Sequence, residues 1–153
     1  MARLLVVHHT PSPALHTMLE AVRAGATAPE VPEVEVSVRA ALSATASDVL
    51  AADGYVIGGP ANLGYLAGAV KHFFDTVYYP CLEDTVGRPF AAYLHGNDDT
   101  TGARRALETI TTGLRWRPVA EVVEVRGGVD AAARDALWNL GAVVAATIAE
   151  DGG

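Results

Sequence analysis

Residues 53–64 read Asp53-Gly54-Tyr55-Val56-Ile57-Gly58-Gly59-Pro60-Ala61-Asn62-Leu63-Gly64, and Ala69-Val70-Lys71-His72-Phe73-Phe74-Asp75 follows closely. The apolar run Tyr55-Val56-Ile57 shows no polar alternation, which suits a strand covered on both faces, as in a parallel sheet. Three glycines and a proline in the next seven residues permit tight turns and close backbone approach. Leu66, Val70, Phe73 and Val77 then recur at helical spacing and predict a helix that ends before Pro80.

The same alternation of patterns extends outward from this unit. Leu4-Leu5-Val6-Val7 and Phe90-Ala91-Ala92-Tyr93-Leu94 are further continuous runs. Val34–Arg39 and Glu121–Val125 alternate instead, so each has one wet face or lies at an edge. Helical stripes occur at Leu15, Leu19 and Val22, at Leu107, Ile110 and Leu114, and at Leu137, Leu140, Val144 and Ile148. Thr45 or Ser47 is placed to cap a short helix through Leu50. Strand and helix thus follow one another five times, which predicts the α/β class. The expected architecture is a three-layer doubly wound sandwich around a five-stranded parallel sheet. With the alternating second and fifth strands at its edges, the order is 2-1-3-4-5. The chain reads as one domain over residues 1–149, with 150–153 as a loose C-terminal tail.

Composition narrows the partners. The chain has 153 residues, and 18 acidic against 11 basic ones give a net charge of −7. That balance argues against nucleic acid or an anionic membrane surface. The single cysteine, Cys81, excludes an internal disulfide framework and a cysteine-based zinc site. The four apolar residues Leu4–Val7 are too few for a signal segment or a membrane span, and the chain is expected to be soluble and cytoplasmic.

A sheet in this order takes its ligand beyond the carboxyl ends of the strands, at the switch between strands one and three. Two loops meet there. In His8-His9-Thr10-Pro11-Ser12-Pro13-Ala14-Leu15-His16, Ser12 is a helix cap and Pro13 suits the first helical position. The hydroxyls of Thr10 and Ser12 and the amides of Ala14, Leu15 and His16 make an anion site there, or the motif is a capped helix and nothing more. The second loop, Gly58–Gly64, suits a flat neutral ligand lying against backbone. Beside them lies His95-Gly96-Asn97-Asp98-Asp99-Thr100, where Asp99 or Thr100 caps the next helix. Arg104 after it either pairs with Glu108 or, with Arg105, meets a second phosphate group.

These residues carry a family resemblance. The Asp53–Gly64 stretch and the Lys71-His72-Phe73-Phe74-Asp75 helix resemble the flavodoxin-like family, in particular NAD(P)H-dependent FMN or quinone reductases, and the strand–helix units match over nearly the whole length. The resemblance implies FMN as cofactor and NAD(P)H as co-substrate. Thr10, Ser12, Pro13, Ala14 and Leu15 match the phosphate loop. Pro60, Ala61, Asn62, Leu63 and Gly64 match the loop against the flavin ring, and His95, Gly96 and Asn97 match the start of the third flavin loop. Pro11 and Pro13 remove two amide donors from the phosphate loop. The third loop lacks a ring-flanking aromatic residue. The implied activity is electron transfer from NAD(P)H through FMN to a quinone or another small acceptor. The alternatives are a one-electron carrier of the flavodoxin kind and a flavin-free domain used for protein interaction.

Other chemistries fit less well. Five histidines are present, but His9 and His95 end strands separated by a third, so no metal is expected. Cys81 and Arg88 do not have phosphatase-loop spacing, and neither a GxxxxGK[ST] nor a GxSxG segment occurs. Phe74, Tyr78 and Tyr79 exceed what one buried stripe needs, which predicts a homo-oligomer, most simply a dimer, through that helix.

Overall fold

The computed structural model of the chain describes residues 1–152. Its elements run β1 (Arg3–His8), α1 (Pro13–Ala26), β2 (Glu35–Ala40), α2 (Ala46–Ala51), β3 (Gly54–Asn62), β4 (Tyr65–Leu66), α3 (Gly68–Cys81), β5 (Pro89–Gly96), α4 (Thr101–Leu114), β6 (Arg117–Pro118), β7 (Val123–Arg126) and α5 (Ala131–Asp151). The fully apolar runs became β1, β3 and β5, at the centre of the sheet. Their burial on both faces is the physical reason that they lack alternation. The order is β2-β1-β3-β5, with β6 and β7 both on the outer side of β5. All pairings are parallel except the short β3–β4 hairpin.

The order 2-1-3-4-5 therefore holds if β6 and β7 count as one interrupted fifth strand. Phe90 pairs with Pro118 and Tyr93 with Val123, so the fifth strand uses two more residues than β5 over the same span. Pro118 has no amide to give the ladder, and the strand bulges after it.

The helices start where their caps dictate. Ser12 Oγ accepts from the Leu15 amide at 3.2 Å, with Pro13 at the first helical position. Thr45 and Asp48 form a reciprocal capping box on α2. Asp130 caps α5 by accepting from the Ala133 amide.

Two cores lie on opposite faces of the sheet. Leu5, Val7, Tyr55, Ile57 and Ala92 pack against Val49, Val70, Phe73, Val77, Leu107 and Leu114 of α2, α3 and α4. Leu4, Val6, Val56, Ala91 and Tyr93 pack against Leu15, Met18, Val22, Leu137, Leu140 and Val144 of α1 and α5. Each such aliphatic side chain contributes roughly 1.5–3 kcal/mol by leaving water.

Four local readings change. Helix α3 does not stop before Pro80 but runs through it to Cys81, because a proline in the last turn deletes only one amide and Thr76 and Pro80 are exposed. Leu66 lies in β4 rather than in the α3 stripe. Phe74 is buried against Trp116 and is no part of a surface for a second subunit, which leaves Tyr79 exposed and Tyr78 half-covered. Helix α5 includes Glu150 and Asp151, and Asp151 pairs with Arg117 at 2.7 Å, so these two residues are not a loose tail. Gly153 lies outside the described residues. No helix among those described is long and apolar enough to cross a membrane.

Candidate functional site

Three loops converge at the carboxyl end of the sheet. The His9 amide donates to the Gly58 carbonyl at 3.0 Å, which ties the loop after β1 to β3. A methyl group on Gly102 at the start of α4 would overlap the Gly64 carbonyl oxygen, so the second and third loops touch backbone to backbone.

The first loop presents donors. Ser12 already engages the Leu15 amide through Oγ, and its carbonyl accepts from the His16 amide. The amides of Thr10, Ser12 and Ala14 make no hydrogen bond among the described residues. They alternate with Pro11 and Pro13, which have none to offer. With the Thr10 and Ser12 hydroxyls at the positive end of α1, this donor set suits an anion. His8 joins it, with Nδ1 2.7 Å from Thr10 Oγ1. Burial first, then the neighbouring charges of His9 and Arg23, holds His8 below its ordinary value, so it is neutral near pH 7.

The second loop is a two-residue hairpin turn. Asn62 pairs with Tyr65, and both turn residues take positive φ, 51° at Leu63 and 76° at Gly64. Glycine tolerates this at Gly64, whereas Leu63 is strained there, a cost of order 1 kcal/mol or more. The strain holds a fully exposed leucine at the tip of the site, with Tyr65 beside it at 56% exposure. Pro60 is buried within β3, while Ala61 is partly covered and Asn62 exposed. Leu63 and Tyr65 give this hairpin two exposed, largely apolar side chains.

The third loop is held from below. Thr100 Oγ1 donates to Glu124 at 2.7 Å, and Arg104 pairs with both Glu108 and Glu124. Those carboxylates occupy Arg104, so it is not free for a second phosphate group. Asp99 accepts from the Thr101 amide, and hydrogen bonds from Thr101 hold its carboxyl below the usual range. Asn97, Asp98 and Asp99 are exposed at the rim. His95 is buried in β5, with Nε2 2.7 Å from the carbonyl of Gly127, just past the end of β7. Gly96 is buried at the end of the same strand.

Two features escaped the sequence reading. Tyr65 is an exposed aromatic residue beside the second loop, and its place in a hairpin stem was hidden by an uncommon Leu-Gly turn. Tyr93 lies on β5 opposite Gly58, and a methyl on Gly58 would overlap its ring. The Tyr93 hydroxyl is fully buried with no hydrogen-bond partner among the described residues, an arrangement that ordinarily costs about 1–3 kcal/mol. No cluster of three metal-ligating side chains occurs among the described residues.

No protein-family model matches the chain. A flavodoxin from Aquifex aeolicus is 38% identical to it over 114 residues, covering 74% of this chain and 60% of that protein. The chain therefore spans 60% of the length of this curated relative. Among solved structures, a flavodoxin from the domain Archaea superposes with a TM-score of 0.81 at 16% identity, covering 96% of this chain and 99% of that one. A WrbA-like flavodoxin from Agrobacterium tumefaciens gives 0.80 at 18% identity, covering 98% and 99%. The fold is flavodoxin-like.

Proposed function

We propose that the chain is a member of the flavodoxin family that binds FMN non-covalently and carries electrons between partner proteins. The observation that carries this reading is the meeting of the anion-suited start of α1 with the apolar Leu63–Gly64 turn beside the β1/β3 switch. The relationship to the Aquifex aeolicus flavodoxin supports it. Thr10, Ser12 and Ala14 would hold the phosphate, helped by the N-terminus of α1. Asn62, Leu63, Gly64 and Tyr65 would lie against the ring, with Asn97 at its rim. The flavin supplies the redox chemistry when bound. The chain's own residues bind and orient it, and exclude water from its buried edge.

A direct NAD(P)H-dependent quinone reductase is the second reading. It needs a ring face open to nicotinamide, and the half-exposed Tyr65 at the turn favours the carrier instead. FMN-loaded protein mixed with NADH or NADPH and a quinone separates the two. The carrier leaves the nicotinamide unoxidised until a partner reductase is added. Steady turnover without one would establish the reductase.

A further inference from the structure

The geometry points to His8 as a proton-linked positioning residue for the phosphate group, acting through the Thr10 hydroxyl; this rests on the FMN reading above. Strand β1 sends Leu4 and Val6 into the core under α1 and α5, so His8, next in the alternation, points to the same side. His8 stands opposite Gly58, and Gly58 opposite Tyr93. The ring carbon bearing the Tyr93 hydroxyl occupies the place of a Gly58 side chain. Its partnerless hydroxyl therefore continues past β3 toward β1 and His8, beneath the start of α1.

The contact between His8 Nδ1 and Thr10 Oγ1 has two polarities. A neutral imidazole with a bare Nδ1 accepts the Thr10 proton, and Thr10 then offers a ligand only lone pairs. An imidazolium, or a neutral ring with its proton on Nδ1, donates from Nδ1, and Thr10 is released to donate to an anion. A phosphate dianion at the amides of Thr10, Ser12 and Ala14 needs Thr10 as a donor, and its charge favours the imidazolium over the neutral Nδ1–H ring.

The charged and titratable surroundings do not prevent this. His9 lies in the same loop, and Arg23 on α1 acts on His8 from a distance. His16 on α1 is exposed, and Arg39 on β2 is paired with Asp48. Tyr93 on β5 stays neutral because burial raises its pKa. From α5, the residues in this core are uncharged. Without ligand His8 is neutral near pH 7. Phosphate raises its affinity for protons, so FMN binding takes up a proton. Affinity therefore rises as pH falls toward the free His8 value and levels off below it.

The test is FMN affinity, read by flavin fluorescence from about pH 8.5 to 7.0, where the phosphate stays largely a dianion because its second pKa is about 6. Wild type is expected to tighten about three- to tenfold. His8→Asn, whose amide keeps a neutral bond to Thr10 but cannot titrate, is expected to stay within about twofold across the range. Riboflavin, which lacks the phosphate, is expected to give no slope. Calorimetry in two buffers of different ionisation heat needs no variant and is expected to show proton uptake with FMN but not with riboflavin. A wild-type slope in His8→Asn, a slope with riboflavin, or no proton uptake with FMN overturns the role of His8. Failure of wild type to bind FMN at any pH would instead overturn the FMN reading itself.

Discussion

The two ends of the sheet are built on opposite principles. At the end where β3 and β5 begin, Arg88 Nη1 lies 2.8–3.2 Å from the carbonyls of Val49, Leu50 and Ala52 and from the Tyr55 hydroxyl. Tyr55 itself donates to the Val49 carbonyl at 2.6 Å and stacks on Trp116. The Trp116 indole donates to Thr85, so the polar groups of this end are spent on one another. At the carboxyl end, three loop amides have no partner among the described residues, Leu63 is held at positive φ, and the Tyr93 hydroxyl is orphaned. Of two buried tyrosines on opposite faces of one sheet, one hydroxyl is satisfied and the other is not. The first end stabilises the fold. The second leaves donors unpaired and strain in place among the described residues.

The contrast is broken most severely by Arg88→Ala. That change takes the charged donor from the Leu50 and Ala52 carbonyls, while Val49 and Tyr55 keep their bond to each other, and is expected to cost about 3 kcal/mol in urea unfolding while leaving FMN affinity unchanged. A change in affinity would show that the two ends are not independent.

Gly58→Ala is next, expected at about 2–3 kcal/mol because its methyl meets the Tyr93 ring. Combined with Tyr93→Leu, which clears that space, the double variant should lose clearly less than the sum of the two single losses. Strict additivity would deny that the two residues share one space.

Alkali tests the satisfied end. Burial pushes Tyr55 up to about 12, above its ordinary 10.0. The folded state therefore binds the phenolic proton more tightly than the unfolded state does. The stability this contributes is complete below pH 10.0 and is lost as pH rises toward about 12, a change of order 2 kcal/mol. Tyr55→Phe should remove much of that slope, and tyrosinate absorbance should lag in the wild type until it unfolds.

The smallest effect is expected at Leu63. Glycine there relieves the positive φ and should stabilise the ligand-free protein by up to about 1 kcal/mol, while weakening FMN several-fold. Unchanged affinity would remove Leu63 from the ring site.

What could be read from the sequence follows from which interactions are local. Leu4–Val7, Tyr55–Ile57 and Phe90–Leu94 announced the central strands because burial on both faces leaves no alternation. The Ser12-Pro13 cap was legible because a helix start is decided within a few residues. The Leu63–Gly64 hairpin was not, since such turns usually carry Asn-Gly and leucine seldom takes positive φ. The Tyr93–Gly58 fit joins two strands far apart in sequence, and no local pattern records it. Phe74 looked surplus because its partner, Trp116, comes from beyond α4.

The most direct test of the phosphate site is a pair of FMN titrations, one of wild type and one of Ser12→Glu, followed by quenching of flavin fluorescence. Ser12 caps α1 beside the free amides, and a carboxylate there would stand where a phosphate group should bind. Wild type is expected to bind one FMN per chain with a Kd of about 10 μM or tighter, and Ser12→Glu to lose at least about a hundredfold. Equal affinity in the two proteins, or no binding by wild type, would contradict an FMN phosphate at the start of α1.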